Sequence, residues 1–312
     1  MMAKILITPR SLSKGGHPIL HKLEEAGFEL SMPSPGATPR EDQLIEAIDG
    51  CVGWLAGVEP VTDKVIEAAN DLRVISRNGT GIDNLPIDLL TKRGIKVCRA
   101  EGTNAKGVAE LALTLTLSSL RDVVPTHTGM RSGEWPRRIG KEISDTKIAV
   151  IGLGAIGATY ANMCLALGAK VRGFDPFAPQ DQIVHPSFTR CDFDAALEGA
   201  EVVSLHAPMP KDGSALMDAS ALNRMAKGAI VVNTARAGLV DDDAMLAAIE
   251  SGQIGAYATD VFHSEPPAPS ALLQHPRVLT TTHIGGFTTA SVDRSTQRAV
   301  DNLLDALVSH AH

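Results

Sequence analysis

Ten residues near the middle of the chain constrain it most. Ile148-Ala149-Val150-Ile151-Gly152-Leu153-Gly154-Ala155-Ile156-Gly157 reads as an apolar strand, a glycine-rich turn and a helix start. Each glycine meets a different physical need. Gly152 permits the tight turn, Gly154 lets backbone N–H groups approach a pyrophosphate with no Cβ in the way, and Gly157 lets the helix lie close on the strand. With Ala155 and Ile156 opening the helix, the pyrophosphate sits on the positive end of the helix dipole. A GxGxxG loop alone is a weak signal, shared with glycine loops that bind nothing and with methyltransferase loops. Context decides. Eighteen residues after Gly157, at the end of the next strand, stands Asp175, placed to accept hydrogen bonds from an adenosine ribose diol. A carboxylate there repels a 2′-phosphate, so NAD is expected over NADP; the plain alternative is a solvated strand-end acid before Pro176.

Around this loop, short β-branched runs alternate with segments of helical apolar spacing, the pattern of βαβ units and a parallel sheet. Strands are expected at Ala3 to Ile7, Glu29 to Ser31, Cys51 to Trp54, Val74 to Ser76 and Lys96 to Cys98, with helices between them. A second run places strands at Lys147 to Ile151, Lys170 to Phe174, Val202 to Leu205, Ala229 to Asn233, Gly255 to Thr259 and Val278 to Thr280. Asn104 to Asp122, rich in Ala and Leu, reads as a buried helix with Val108, Leu111, Leu115 and Ser118 on one face and with Glu110 capping a neighbouring loop in preference to a catalytic role; Met130 to Ser144 reads as a loop. An amphipathic helix at Thr289 to Val308 closes the chain. The 312 residues suffice for two cores. The expected class is α/β with two Rossmann-like doubly wound domains: residues 1–99 plus 286–312 for substrate, and an inserted NAD-binding domain at residues 100–285.

Composition narrows the function. Twenty-nine basic against 36 acidic residues give a net charge of -7, the wrong sign for affinity built on nucleic-acid phosphates or anionic membranes. Four scattered cysteines without a CxxC pair signal neither zinc nor a dithiol, and the histidines show no metal-ligand spacing. The apolar stretch at Ile5 to Ile7 is too short for a signal-peptide core or a membrane span, so a cytoplasmic location is expected.

Three further segments follow strands of the second run, where a doubly wound sheet places its ligands. They are Asn233-Thr234-Ala235-Arg236-Ala237-Gly238, Ala258-Thr259-Asp260-Val261-Phe262-His263-Ser264-Glu265-Pro266 and Thr282-His283-Ile284-Gly285-Gly286. With the glycine loop and Ile75-Ser76-Arg77-Asn78-Gly79-Thr80-Gly81-Ile82-Asp83-Asn84, they closely resemble the NAD-dependent D-isomer-specific 2-hydroxyacid dehydrogenases, especially the 3-phosphoglycerate dehydrogenase branch. Five motifs occur in the family's order along nearly the whole chain.

The resemblance implies roles that chemistry can justify. Hydride transfer from a C2 alcohol needs a base for the hydroxyl proton, and the family assigns it to the histidine at His283, with Glu265 fixing the tautomer and favouring the protonated ring. Arg236 would fork onto the substrate carboxylate. Alone, each has a bland alternative: a surface ion pair, a loop acid before prolines, a satisfied core histidine. By the same resemblance Asp260 would hold the nicotinamide carboxamide. Thr234, Ala235, Arg236, His283, Gly285 and Gly286 would line the cofactor, and His206, Ala207 and Pro208 would flank its adenosine side. Backbone N–H groups around Asn78 and Gly79 would bind the substrate carboxylate, against the alternative of an ordinary structural loop.

Departures from the family matter too. The chain ends soon after its last helix, so feedback through a serine-sensing C-terminal domain is not expected. In Val240-Asp241-Asp242-Asp243-Ala244 an aspartate stands where a glutamate is common, at a helix N-cap, without expected effect on catalysis. The expected substrate is a small anionic D-2-hydroxy or 2-keto acid, 3-phosphoglycerate-like first, with hydroxypyruvate, glyoxylate or D-lactate chemistry as the alternative. Arg77, Arg137, Arg138 and Lys141 are the cations open to a phosphate or sulfonate tail, unless the last three form only a solvated basic loop. Trp135 and the Ala/Leu-rich helix lie where the family dimerises, so a homodimer through the nucleotide-binding domains is expected. Two rivals stand: an NADH-sensing corepressor-like binding protein, and formate dehydrogenase, which pairs its histidine with glutamine and is disfavoured by Glu265.

Overall fold

The computed structural model describes residues 2–15 and 17–308. The chain divides into two compact units, Met1–Asn104 with Thr289–His312, and Ala105–Thr288 inserted between them.

The first unit is built on five parallel strands, β1 (Lys4–Ile7), β2 (Glu29–Ser31), β3 (Cys51–Ala56), β4 (Val74–Arg77) and β5 (Lys96–Arg99), in the order β2-β1-β3-β4-β5. Burial of both faces explains why the central strands β1, β3 and β4 read as largely apolar runs, whereas the edge strands β2 and β5 are partly exposed. Leu6, Trp54 and Ile75 face one core, while Ile5, Leu55 and Val74 face the other. The second core is closed by the helix Thr289–Val308 through Ala299, Val300, Leu303 and Leu307. Gly53 makes that approach possible, because a Cβ there would stand 3.2 Å from the Leu303 and Leu307 methyl carbons. Strand order reverses between β1 and β3, the edge at which such sheets open a crevice. That edge carries a buried polar network. Trp54 Nε1–H donates to Thr8 Oγ1 at 3.0 Å, Thr8 donates to Glu59, and Gly57 N–H donates to Glu59 Oε1 at 2.8 Å.

The second unit has seven parallel strands: β6 (Lys147–Ile151), β7 (Lys170–Phe174), β8 (Phe188–Arg190), β9 (Val202–Leu205), β10 (Ala229–Asn233), β11 (Ile254–Thr259) and β12 (Val278–Thr280). Their order is β12-β11-β10-β9-β6-β7-β8, so direction of winding reverses between β6 and β9. Both units are therefore doubly wound α/β, as the alternation predicts.

The helix Ala105–Leu120 packs on Ala155–Ala166 in this unit. Its buried stripe is Ala105, Val108, Ala109, Ala112, Leu115, Thr116 and Leu120, whereas Leu111 and Ser118 are only half-buried. Ala105, Ala109 and Ala112 in that stripe let two helices approach closely, and Thr116 Oγ1 reaches Tyr160 Oη at 2.8 Å. Glu110 does not cap a loop: it is exposed, with Lys106 Nζ 3.9 Å away one turn back. A helix at Val123–Arg131 takes up the start of the segment read as a loop from Met130. Pro125 is tolerated in its first turn, where the N–H groups have no intrahelical acceptor. Asp241 caps the helix Asp242–Glu250 by accepting from Ala244 N–H at 3.0 Å.

Candidate active site

The functional side chains of the second unit emerge from the C-terminal ends of its parallel strands. The glycine loop follows β6, and its three glycines differ in what holds them. Gly152 has φ +93°, and a Cβ there would stand 2.6 Å from Ala207 N. A Cβ on Gly157 would stand 1.9 Å from Gly152 O. Gly154 meets no atom within 4 Å. Two of the glycines are therefore demanded by the protein's own packing, and the third by open space in front of the helix that starts at Ala155 and Ile156. That is the distribution a pyrophosphate cradle requires.

Asp175, just past β7, is half-buried. Its Oδ2 accepts from Leu153 N–H at 2.8 Å, and its Oδ1 accepts from Phe177 and Ala178 N–H at 2.8 and 3.1 Å. The acid thus ties the glycine loop to the end of the neighbouring strand. After β9, His206 Nε2 is 2.9 Å from Ser204 Oγ and its ring lies against Tyr160. Burial pushes the imidazole down to about 3. His206 is consequently neutral at physiological pH and no candidate for proton transfer there. Ala207 backs onto Gly152, and Pro208 follows it in the chain.

Two buried polar atoms at these strand ends, His206 Nδ1 and Thr234 Oγ1, have no hydrogen-bond partner among the described residues. Unsatisfied buried groups in a native fold point to a missing ligand or water. With the open cradle at Gly154, these unpartnered atoms fit a dinucleotide at the strand ends.

Register brings the remaining groups side by side. Asn233 pairs with Thr259, and Thr259 with Thr280, so Arg236, Asp260 and His283 leave adjacent strand ends. Asn233 is fully buried; its Nδ2 donates to Arg236 O at 2.9 Å and its Oδ1 accepts from Ala235 N–H at 3.0 Å. This closes the turn that presents the half-buried Arg236, whose Nη1 donates to Ala235 O at 2.8 Å.

Asp260 is only 2% exposed. Its Oδ1 accepts from Thr281 Oγ1 at 2.6 Å and from Ile284 N–H at 2.8 Å; its Oδ2 accepts from Gly285 N–H at 2.8 Å. A carboxylate has about four acceptor sites, and here most serve the loop that carries His283. That loop needs holding, because His283 has φ +55°, a left-handed conformation that costs a non-glycine residue on the order of 1 kcal/mol. His283 Nδ1 lies 2.8 Å from both Glu265 oxygens. A carboxylate can only accept, so Nδ1 carries the proton and the neutral ring presents its lone pair at Nε2. Glu265 Oε1 also accepts from Phe262 N–H at 3.4 Å. The dyad borders an open hollow of about 530 Å³ whose other walls include Pro266, Pro267, Pro269 and Leu273.

In the first unit, Asn78 and Gly79 follow β4. Asn78 N–H donates to Ala56 O at 2.8 Å and Gly79 N–H to Arg77 O at 2.9 Å, so both donors are engaged in closing the turn. The buried Arg77 gives its Nη1 to Asn78 O at 2.9 Å. Burial is the main influence on this guanidinium and lowers its affinity for the proton, with Glu59 and Asp83 acting against it. Of the cations in the basic segment, Lys141 is 2.9 Å from Glu201 and Arg138 is 4.0 Å from Asp122.

Sequence reasoning names these loops but misses the residues that brace them. Asn233 enters only as the first residue of a motif, with no role of its own, Thr281 has no part in it, and Asp260 enters as a ligand of the cofactor alone. The available signal is Asn or Asp at the end of a buried strand, where a short polar side chain folds back on backbone N–H groups.

Comparison with known proteins agrees with this geometry. A family model described as "D-isomer specific 2-hydroxyacid dehydrogenase, NAD binding domain" matches residues 113–285. The D-3-phosphoglycerate dehydrogenase of Archaeoglobus fulgidus is 37% identical over 231 residues, covering 73% of this chain and 44% of that protein. The hydroxypyruvate reductase of Thermotoga maritima is 32% identical over 252 residues, covering 79% of this chain and 81% of that protein. The chain spans about half the length of the phosphoglycerate dehydrogenases it matches, 44% and 54% in two of them. Among solved structures, the TT0316 protein of Thermus thermophilus superposes with a TM-score of 0.86 at 29% identity, covering 98% of this chain and 97% of that one. A glycine loop with its acid, a His–Glu pair and an arginine at neighbouring strand ends thus coincide with a match over more than half the chain, and the protein belongs to the D-isomer-specific 2-hydroxyacid dehydrogenase family, carrying that family's NAD-binding domain.

Proposed function

We propose that the protein is an NAD-dependent oxidoreductase moving a hydride between nicotinamide and C2 of a small anionic D-2-hydroxy or 2-keto acid. The observation that carries this reading is the His283–Glu265 pair at 2.8 Å, with Nδ1 tied to the carboxylate and Nε2 left for exchange. NAD, when bound, supplies the hydride acceptor or donor. The chain's own residues do the rest. His283 Nε2 takes the hydroxyl proton in oxidation and returns it to the keto oxygen in reduction. Glu265 orients the ring and balances the imidazolium charge. Arg236 binds the substrate carboxylate with a planar fork of donors. Asp260 positions His283 and is also proposed to meet the nicotinamide carboxamide. Thr234, Ala235, Gly285 and Gly286 line the cofactor, with His206 to Pro208 on its adenosine side. Asn78 and Gly79 are proposed for substrate recognition, through donors of their loop other than the two N–H groups already engaged.

A 3-phosphoglycerate-like substrate is the first candidate, supported by the several relatives named D-3-phosphoglycerate dehydrogenase. A hydroxypyruvate, glyoxylate or D-lactate type of reduction is the second reading, favoured by the Thermotoga hydroxypyruvate reductase, most of whose length this chain covers. A panel of 2-keto acids, with and without a phosphate tail, followed by NADH and NADPH absorbance, tests both. Turnover of none of them would overturn the enzyme reading in favour of an NADH-binding sensor. Equal use of NADPH would remove Asp175 from cofactor choice. We further propose a homodimer in the cytoplasm, supported by the exposed Trp135 and Ile139 of the second unit. A scattering mass of one chain at micromolar concentration would overturn the dimer.

A further inference from the structure

The second sheet carries, at the edge away from its glycine loop, a cluster with no part in the site above. β6 and β7 begin on Lys147 and Lys170, which are direct partners in the parallel register. Arg172 follows two residues later on the same face as Lys170. Like charges paired across neighbouring strands destabilise the ladder, so nothing in the fold itself calls for this arrangement. The three cations line a hollow of about 320 Å³ together with Ser187 and Thr189, and no acidic side chain is among its walls. Ala196 and Ala200 keep the hollow open by being small.

The cations are differently prepared. Arg172 is locked, its Nη1 donating to Ala195 O at 2.9 Å and Glu198 O at 2.8 Å. Lys170 Nζ is 2.9 Å from Asp145, a partner so exposed that solvent weakens the pair. Lys147 makes no ion pair within 4 Å among the described residues, although Glu201, which accepts from its backbone N–H at 3.0 Å, lies near enough to feel its charge. Two ammonium groups and one fixed guanidinium, with Ser187 and Thr189 beside them on the next strand segment, form a receptor for a group with several negative oxygens.

We propose that this hollow is a second ligand site, for a small multivalent oxyanion: a phosphate or a phosphate ester. It is separate from the dinucleotide cradle, since the length of β6, roughly 15 Å at about 3.3 Å per residue, lies between them. Lys170 exchanges its exposed pair with Asp145 for the ligand.

The test is calorimetric titration of inorganic pyrophosphate into protein saturated with NADH, at ionic strength held constant with chloride. One equivalent should bind, NADH should remain bound, and Lys147→Gln with Lys170→Gln should weaken binding by ~10-fold or more. Pyrophosphate should also raise the Tm of the parent protein but not that of the double variant. Because the substitutions remove a like-charge pair, the variant should be no less stable than the parent without ligand. A variant that does not fold is replaced by Lys147→Arg with Lys170→Arg, which should bind within about threefold of the parent. Equal binding by parent and glutamine variant, displacement of pyrophosphate by NADH, failure of the arginine variant to bind, or no heat at millimolar pyrophosphate would each overturn the proposal.

Discussion

Replacing Asp260 by Asn changes one atom and should release the loop that carries His283. With the amide oxygen in the Oδ1 position, the contacts to Thr281 and Ile284 survive as neutral hydrogen bonds, but the NH2 then faces the Gly285 N–H, which now lies 2.8 Å from a carboxylate oxygen. The flipped amide loses the Thr281 and Ile284 acceptor instead. At 2% exposure no solvent makes good the loss. A hydrogen bond to a buried charge contributes about 1.5–3 kcal/mol, and weakening two more by removal of the charge costs about 1 kcal/mol in total. Relief of the left-handed strain at His283 returns on the order of 1 kcal/mol. The net release is about 1.5–3 kcal/mol, confined to residues 281–286. Hydrogen exchange read by mass spectrometry should therefore show the Gly285 amide opening roughly 10- to 150-fold more often, while the β6 and β10 amides keep their protection. In the same protein, kcat for keto-acid reduction should fall by ~100-fold, since misplacing a catalytic group by about 1 Å costs that much. Unchanged exchange at residues 284 and 285 would refute the bracing argument. If exchange were unchanged and only the NADH Kd rose, Asp260 would be a contact of the nicotinamide alone.

Three further outcomes follow from the same geometry. Gly157→Ala drives a Cβ into Gly152 O, where 1.9 Å must open to roughly 3.3 Å, so NADH affinity should fall by ~100-fold in a fluorescence titration while the first unit's amides exchange as before; parental affinity would mean that the loop yields freely. Glu265→Gln removes the charge that balances the imidazolium and should lower kcat for reduction by ~100-fold with NADH Kd unchanged, and an unaltered kcat would take Glu265 out of the mechanism. His206, held neutral by burial with its proton affinity lowered from 6.5 to about 3, binds a proton in the unfolded chain before it does so in the folded one. Stability from this group is therefore full above pH 6.5 and is lost as pH falls toward about 3, by on the order of 3 kcal/mol near pH ~4. Denaturant midpoints of His206→Gln should decline less steeply than the parent's across that window, and parallel declines would show that His206 is not the group responsible.

How much of this can be read from sequence depends on whether the deciding force is local. Lys147–Ile151, Val202–Leu205 and Ala229–Asn233 are the strands the apolar runs predict, because a strand buried on both faces needs little beyond β-branched composition between two breakers. The glycine loop is legible for the same reason: φ +93° at Gly152 and the close approach at Gly157 are demands that only glycine meets. Val123–Arg131 is not legible, since Pro125 and Gly129 argue against the helix locally and its burial is slight. Nor is the buried face of Ala105–Leu120. In a helix half Ala and Leu and otherwise mostly small or uncharged, periodicity leaves the face undetermined, and close packing on Ala155–Ala166 favours its small residues. The His283–Glu265 pair follows from resemblance rather than spacing; 18 residues separate its members, and only the adjacency of β11 and β12 explains their contact.

A common device underlies the parts that escape a reading of the sequence. Asp175, Asn233 and Asp260 each stand at or just past the end of a buried strand, and each directs short polar acceptors at backbone N–H groups of the loop that bears a functional atom: Leu153 in the glycine loop, Ala235 before Arg236, and Ile284 and Gly285 after His283. The braces are themselves joined, since Asp260 N–H donates to Asn233 O at 3.0 Å across neighbouring strand ends. A sheet of parallel strands cannot shift one strand end without breaking its ladder, so each loop inherits the rigidity of the sheet through one side chain. This places the proposed chemistry on loops without the mobility that loops ordinarily carry. It also implies an order of failure. Substitution at Arg236, Glu265 or His283 removes chemistry and leaves the geometry standing, whereas substitution at Asn233 or Asp260 leaves every reacting group present and lets the geometry go.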